Sequence, residues 1–127
     1  MPKRTSVYVE GFSHKNPIPA ACRIGNMVYS GSIQGTDPKT GKYGATLEEQ
    51  SALMFAHVRR ILEAAGGTPE NIVKMTLWLK DRANREPVNR EWLRMFPDSG
   101  SRPARHAIQS PLDGEKLLEC DFIAVLD

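Results

Sequence analysis

The stretch Leu117-Leu118-Glu119-Cys120-Asp121-Phe122-Ile123-Ala124-Val125 alternates in a way that reads as a β-strand, with Glu119 and Asp121 on one face and Cys120 and Phe122 on the other. Fourteen residues before Glu119, the run Ser101-Arg102-Pro103-Ala104-Arg105 leads into another apolar segment, read as a strand from Ala104 to Gln109. Two neighbouring strands are therefore expected to carry one arginine and one carboxylate. A guanidinium grips a carboxylate with a rigid fork of donors, and a glutamate beside it can orient or deprotonate water. The same residue types on adjacent strands also form ordinary cross-strand ion pairs. Only the rest of the chain can decide between the two.

Outward from this stretch, Pro111-Leu112-Asp113-Gly114 reads as the turn between the two closing strands. Before them, Arg85 to Phe96 reads as a helix with Val88, Trp92 and Met95 on one stripe, stopped by Pro97. Further back, Val73, Met75, Leu77 and Leu79 alternate with Lys74, Thr76, Trp78 and Lys80, the pattern of a strand with one covered face. Trp78, on the opposite face, points to contact with another subunit. A capping box, Thr46 toward Glu49, opens an earlier helix with Leu47, Met54, Val58, Ile61 and Ala65 at helical steps and Gly66-Gly67 at its end. Gly35 to Gly44 reads as a loop. Val7 to Val9 reads as a first strand, and Ala20 to Ile24 with Met27 to Ile33 as a hairpin around Gly25-Asn26. The order βββαβαββ predicts an α+β fold, a mixed sheet with two helices on one face, spanning 1-127 as a single domain.

The chain has 127 residues, 40% hydrophobic and 25% charged, enough for one modest core. A formal charge of +2 leaves no strong footprint for nucleic acid or an anionic membrane. Arginines are dense from Arg82 to Arg105, but Glu86 and Glu91 are interleaved, as on a solvated helix face. Cys22 and Cys120 each lie in an apolar run, where a free thiol acts as a small hydrophobe. His14, His57 and His106 are far apart and no Cys-x-x-Cys occurs, so no metal site is expected. The N-terminal residues lack the apolar core of a signal peptide and no stretch reaches transmembrane length, so the cytoplasm is the expected compartment.

Several segments resemble the YjgF/UK114 family, also called the Rid family of imine and enamine deaminases. Gly25-Asn26-Met27-Val28-Tyr29-Ser30-Gly31-Ser32-Ile33 is similar to its Gly-Asn-apolar-Ser-Gly-Gln-Ile strand, and Asp37-Pro38-Lys39-Thr40-Gly41 to the turn that follows. Glu63-Ala64-Ala65-Gly66-Gly67, Ile72-Val73-Lys74-Met75-Thr76, Lys80-Asp81, Val88-Asn89 and Pro103-Ala104-Arg105 match in order. The resemblance runs from about residue 20 to the C-terminus. It implies the chorismate-mutase-like (bacillus) architecture and a homotrimer whose sheets enclose a central barrel.

The resemblance also implies roles. Arg105 takes the place of the arginine that binds the substrate carboxylate in a cleft between subunits, and Glu119 that of the glutamate that positions or activates the attacking water. Gly31 matches the glycine whose backbone lines the pocket, and also reads as a β-bulge or a close strand approach. Asn89 matches a helix asparagine near the pocket, where bonding to a nearby loop is the other reading. Ala107 stands where the family has a small or thiol residue, giving a wider or less polar pocket. Asn16-Pro17-Ile18-Pro19-Ala20 replaces a Gly-Pro-Tyr-x-Gln segment, removing a phenol from the pocket entrance. His106 replaces a small residue and by alternation points away from Arg105. The strand from Met27 to Gly31 is one residue short, which affects its register.

The implied reaction is hydrolytic deamination of a small carboxylate-bearing 2-imino acid or enamine to a 2-oxo acid and ammonia, without metal or organic cofactor. An aminomuconate-type deaminase of aromatic catabolism and a non-catalytic metabolite-binding trimer remain open. An endoribonuclease or translation inhibitor is disfavoured, since the chain shows no His pair, metal cluster or strongly basic face.

Overall fold

The computed structural model describes residues 3–12 and 15–127, so the reading of His14 lies outside the described residues, as do Met1 and Pro2. The strands are β1 (Thr5–Val7), β2 (Ala21–Ile24), β3 (Met27–Ser30), β4 (Ile33–Gln34), β5 (Ile72–Leu79), β6 (Ala104–Gln109) and β7 (Leu118–Val125). The helices are α1 (Leu47–Ala65) and α2 (Glu86–Met95), with a 3-10 turn at Pro69–Asn71 before β5. The strands form one mixed sheet in the order β1-β2-β3-β7-β5-β6, with β4 also on β7. Only β5 and β6 run parallel, as the crossover through α2 requires.

Local chemistry explains the elements. Thr46 Oγ1 accepts from the Glu49 N–H at 3.1 Å and opens α1. The Glu49 carboxylate reaches back one residue beyond the expected partner, to the Ala45 N–H at 2.9 Å. Gly66, at φ 96°, closes α1 in the left-handed conformation that favours glycine. Arg23 donates to Gly25 and, from the other end of its guanidinium, to the Ala65 carbonyl at 3.0 Å, tying the hairpin to the end of α1.

Three expectations are corrected. The first strand lies at Thr5–Val7, while Val9 forms only an isolated bridge with Phe12. The segment Met27 to Ile33 is two strands. Tyr29 faces Ile123 and Ile33 faces Cys120, so β3 and β4 together carry one more residue than the matching part of β7. The excess bulges at Ser30-Gly31-Ser32, and the Phe122 N–H there donates to Ser30 Oγ at 2.8 Å. In β5 the register slips between Ile72 and Lys74, so Ile72 is buried and Val73 is 51% exposed.

Both helices pack on the same face of the sheet. Val28, Ile33, Met75, Leu77, Leu79, Leu118, Cys120, Phe122 and Ala124 meet Met54, Val58, Ile61 and Leu62 of α1 and Val88 and Trp92 of α2 in one core. Each Val, Leu, Ile, Met or Phe among them contributes about 1.5–3 kcal/mol when fully buried. The other face has no helix over it, and there Ile24, Met27 and Tyr29 are exposed. Trp78 lies on that face but is only partly exposed, and its Nε1 donates to Asp121 Oδ2 at 3.2 Å.

Candidate functional site

The parallel register sets Arg105 opposite Met75, and Met75 opposite Phe122, so Arg105 lies on the helix face of the edge strand β6. Its guanidinium carbon sits 4.9 Å from the centre of the Trp92 ring on α2, a cation–π contact that braces an otherwise long and mobile side chain. Burial, and then the nearby charge of Arg85, lower the Arg105 pKa from its usual value. The group remains protonated at any working pH. The Asn89 N–H bonds to the Arg85 carbonyl at 2.8 Å, and Arg85, just before α2, falls at helical steps with Asn89 and Trp92 inside it. Ala107, two residues along β6, shares the face of Arg105 and packs against the core. Among the described residues no carboxylate lies within ion-pair distance of Arg105. The result is a braced, partly buried cation at a sheet edge, with a second arginine nearby and no internal anion.

Glu119 and Gly31 belong to a different place. Glu119 lies between Gln34 of β4 and Trp78 of β5, on the face away from the helices. Lys116 Nζ lies 3.8 Å from its Oε1, and the Glu119 side chain is only 16% exposed. Gly31 donates to the Ala20 carbonyl at 2.9 Å, and a Cβ added to it would come no nearer than 3.7 Å to protein atoms. It borders a recess of about 140 Å³ walled by Phe12, Ile18, Pro19, Ala20, Ser32 and Gln34. Ile18 supplies an apolar wall in the segment where an aromatic was missed.

The expectation that Arg105 and Glu119 lie on neighbouring strands is corrected, because β5 runs between β6 and β7. The two also project from opposite faces of the sheet. Two strand spacings, roughly 10 Å, and the thickness of the sheet therefore separate them. Arg105 and Ala107 share the helix face of β6, with Asn89 one turn from Trp92 on α2, while Glu119 lies on the opposite face of β7 and Gly31 in the bulge between β3 and β4. His106 is exposed beside Thr76, on the face opposite Arg105 as alternation requires.

Trp92 was read from the sequence only as core, and its second use as a platform for Arg105 depends on the β6 register. Gln34 and Lys116, the neighbours of Glu119, were also missed, since the bulge that places Gln34 leaves no periodic signal. The Cys120 thiol is fully buried and its pKa is raised well above the usual value, first by burial and then by Asp121 and Glu119. It is an inert core group. Among the described residues no three His, Cys, Asp or Glu side chains converge as metal ligands, and no helix is long and apolar enough to cross a membrane.

Residues 6–126 match the family model described as Endoribonuclease L-PSP. A RutC family protein of Pyrococcus abyssi is 31% identical over 120 residues, covering 89% of this chain and 93% of the relative. The chloroplastic Reactive Intermediate Deaminase A of Arabidopsis thaliana is 31% identical over 108 residues, covering 82% of this chain and 57% of the longer plant protein. The crystal structure of E. coli TdcF with bound serine superposes with a TM-score of 0.88 at 25% identity, covering 97% of this chain and 99% of that one. The chain belongs to the YjgF/UK114 family, which the L-PSP model represents and which includes reactive intermediate deaminases.

Proposed function

We propose that this member of the YjgF/UK114 family hydrolytically deaminates small 2-imino acids or their enamine tautomers, in clefts between the subunits of a homotrimer. The observation that carries the reading is Arg105: a braced guanidinium at an edge strand, with no carboxylate among the described residues within ion-pair distance. The separation of Arg105 from Glu119 supports a site shared by two copies, with Arg105, Asn89 and Ala107 from one and Gly31 and Glu119 from its neighbour. The exposed apolar sheet face supplies a surface for association, and closing three such sheets would form a central barrel. The serine bound to the related TdcF supports a small carboxylate ligand.

In this cleft Arg105 holds the substrate carboxylate through two parallel N–H···O bonds, and Asn89 flanks it. Glu119 takes a proton from water as the water oxygen bonds to the imine carbon and the C=N π pair moves to nitrogen. Glu119 then gives that proton to the amine nitrogen. As the C–N bond breaks, the carbinolamine hydroxyl returns its own proton to Glu119 while its O–H electron pair forms the C=O bond. The proton on Glu119 passes to the departing ammonia, and the 2-oxo acid remains. No metal or organic cofactor is needed, since a protonated imine carbon is already electrophilic. Ile18 and Ala107 make the pocket less polar at two positions, which favours an aminomuconate-type substrate as the second reading. A cytoplasmic location suits an enzyme with two unpaired cysteines.

The test is turnover of an imine generated in place by a pyridoxal-phosphate enzyme. Arg105→Lys is expected to lower kcat/KM about a hundredfold and weaken pyruvate binding, because the bidentate fork is lost. Glu119→Gln is expected to keep pyruvate binding and lower kcat by about 10²–10⁴, because an amide cannot accept the proton. A wild-type protein that binds pyruvate and never turns over the imine is a metabolite-binding trimer instead.

A further inference from the structure

We propose that Gln34 holds the attacking water against Glu119, an assignment that rests on the deaminase reading and names a further residue of that site. Gln34 stands directly opposite Glu119 in the β4–β7 pairing, so the two side chains are cross-strand neighbours on one face. Its Oε1 is buried and makes no hydrogen bond. Buried carbonyl oxygens are almost always paired, and this protein pairs its other buried amide fully. Gln50 Nε2 donates to Gly44 and Glu115, and Gln50 Oε1 accepts from the Leu117 N–H, each at 2.9 Å. Ser51 Oγ, His57 Nδ1 and Arg60 Nη1 are also buried without a partner among the described residues, but of these four atoms Gln34 Oε1 is the one whose residue stands opposite the proposed base.

That place is open to small molecules. Gln34 lines both the recess at Gly31 and a larger cavity of about 660 Å³ bordered by Thr36, Tyr43 and Lys116. No hydrogen bond among the described residues occupies the Glu119 carboxylate, whose single ionic neighbour is Lys116 at 3.8 Å. Two adjacent acceptors, the Gln34 carbonyl and a Glu119 oxygen, suit a water that donates one hydrogen to each. Such a water has its lone pairs turned away from both acceptors, toward the recess. On attack, the O–H bond facing Glu119 breaks and the carboxylate takes that proton. The O–H bond facing Gln34 stays intact, because an amide carbonyl is far too weak a base to compete. Gln34 therefore fixes both the direction of the lone pair and the destination of the proton.

In a high-resolution crystal structure of the assembled protein with pyruvate bound, one ordered water is expected within hydrogen-bond distance of Gln34 Oε1 and a Glu119 oxygen. A donor from a neighbouring subunit on Oε1, or no water there, overturns the assignment. In the imine assay, Gln34→Met is expected to lower kcat about thirtyfold while KM and pyruvate affinity stay within about twofold. Gln34→Glu is expected to move the acid limb of the pH–rate profile to higher pH, since two carboxylates would then face each other across one strand pair. An unchanged kcat in Gln34→Met with an unmoved profile in Gln34→Glu also overturns it. A wild-type protein without turnover refutes the deaminase reading instead, and the crystal structure still decides the water site.

Discussion

Arg23, Arg102 and Arg105 carry the same group and use it differently. Arg23 donates to two backbone carbonyls, and Arg102 donates to Phe96 and Pro97, so both guanidinium groups fasten loops. Arg105 rests on the face of Trp92, which holds its position without occupying its donors. His57 shows the opposite commitment. Its Nε2 lies 2.7 Å from the Thr36 carbonyl and therefore carries the proton, while its ring meets Phe12 at 4.7 Å between centroids. Burial lowers its pKa from the usual 6.5, the Thr36 carbonyl opposes that shift, and the Arg60 charge adds to it. The unfolded chain binds a proton near 6.5 and the folded protein only below that value. The stability from neutral His57 is thus complete above about pH 6.5 and is lost as pH falls from there through the lowered folded pKa. Thermal melting between pH 7.5 and 5 should show a steeper loss for wild type than for His57→Leu. Equal slopes would mean that His57 titrates alike in both states.

Two glycines of the β3–β4 region look equivalent in sequence and differ in what they meet. A Cβ on Gly35 would lie 2.1 Å from the Gln50 carbonyl oxygen, in the backbone of α1, which cannot step aside as a side chain would. Gly35→Ala is expected to cost about 3 kcal/mol or more by overpacking, seen as a lower midpoint in urea unfolding. Gly31 has room for a methyl group, and its φ is not in the left-handed region. Gly31→Ala should leave the urea midpoint nearly unchanged and reduce imine turnover, because the methyl group enters the recess. A destabilised Gly31→Ala with normal turnover would return Gly31 to the fold. These elements also show what could be read in advance. The two helices, β6 and the alternation of β7 follow from periodicity, caps and proline, which act locally. The breaks at Gly31 and Val73 do not, because a bulge is decided by which residue of another strand stands opposite. The same limit hid the geometry of the proposed site: Arg105 and Glu119 were legible as residues, but their separation depends on β5 entering between β6 and β7.

In the proposed assembly Arg105, on one sheet face, and Glu119, on the other, meet only across copies. The uncovered face carrying Ile24, Met27 and Tyr29 gives those copies an apolar surface to share. This arrangement makes a prediction that a site within one subunit cannot imitate. Arg105→Lys and Glu119→Gln should each keep only about a hundredth or less of wild-type turnover alone, having lost one half of every cleft. After the two are unfolded together in equal amounts and refolded, some clefts pair Arg105 from the Glu119→Gln chain with Glu119 from the Arg105→Lys chain. In a cyclic trimer assembled at random, roughly one cleft in four has this intact combination, so about a quarter of wild-type turnover should return. Light scattering on the same sample should give the trimer mass. A site contained in one chain would stay inactive at every mixing ratio, because each chain would carry its defect into its own pocket. Mixing the folded variants without unfolding is the control, and activity there should rise only as fast as subunits exchange.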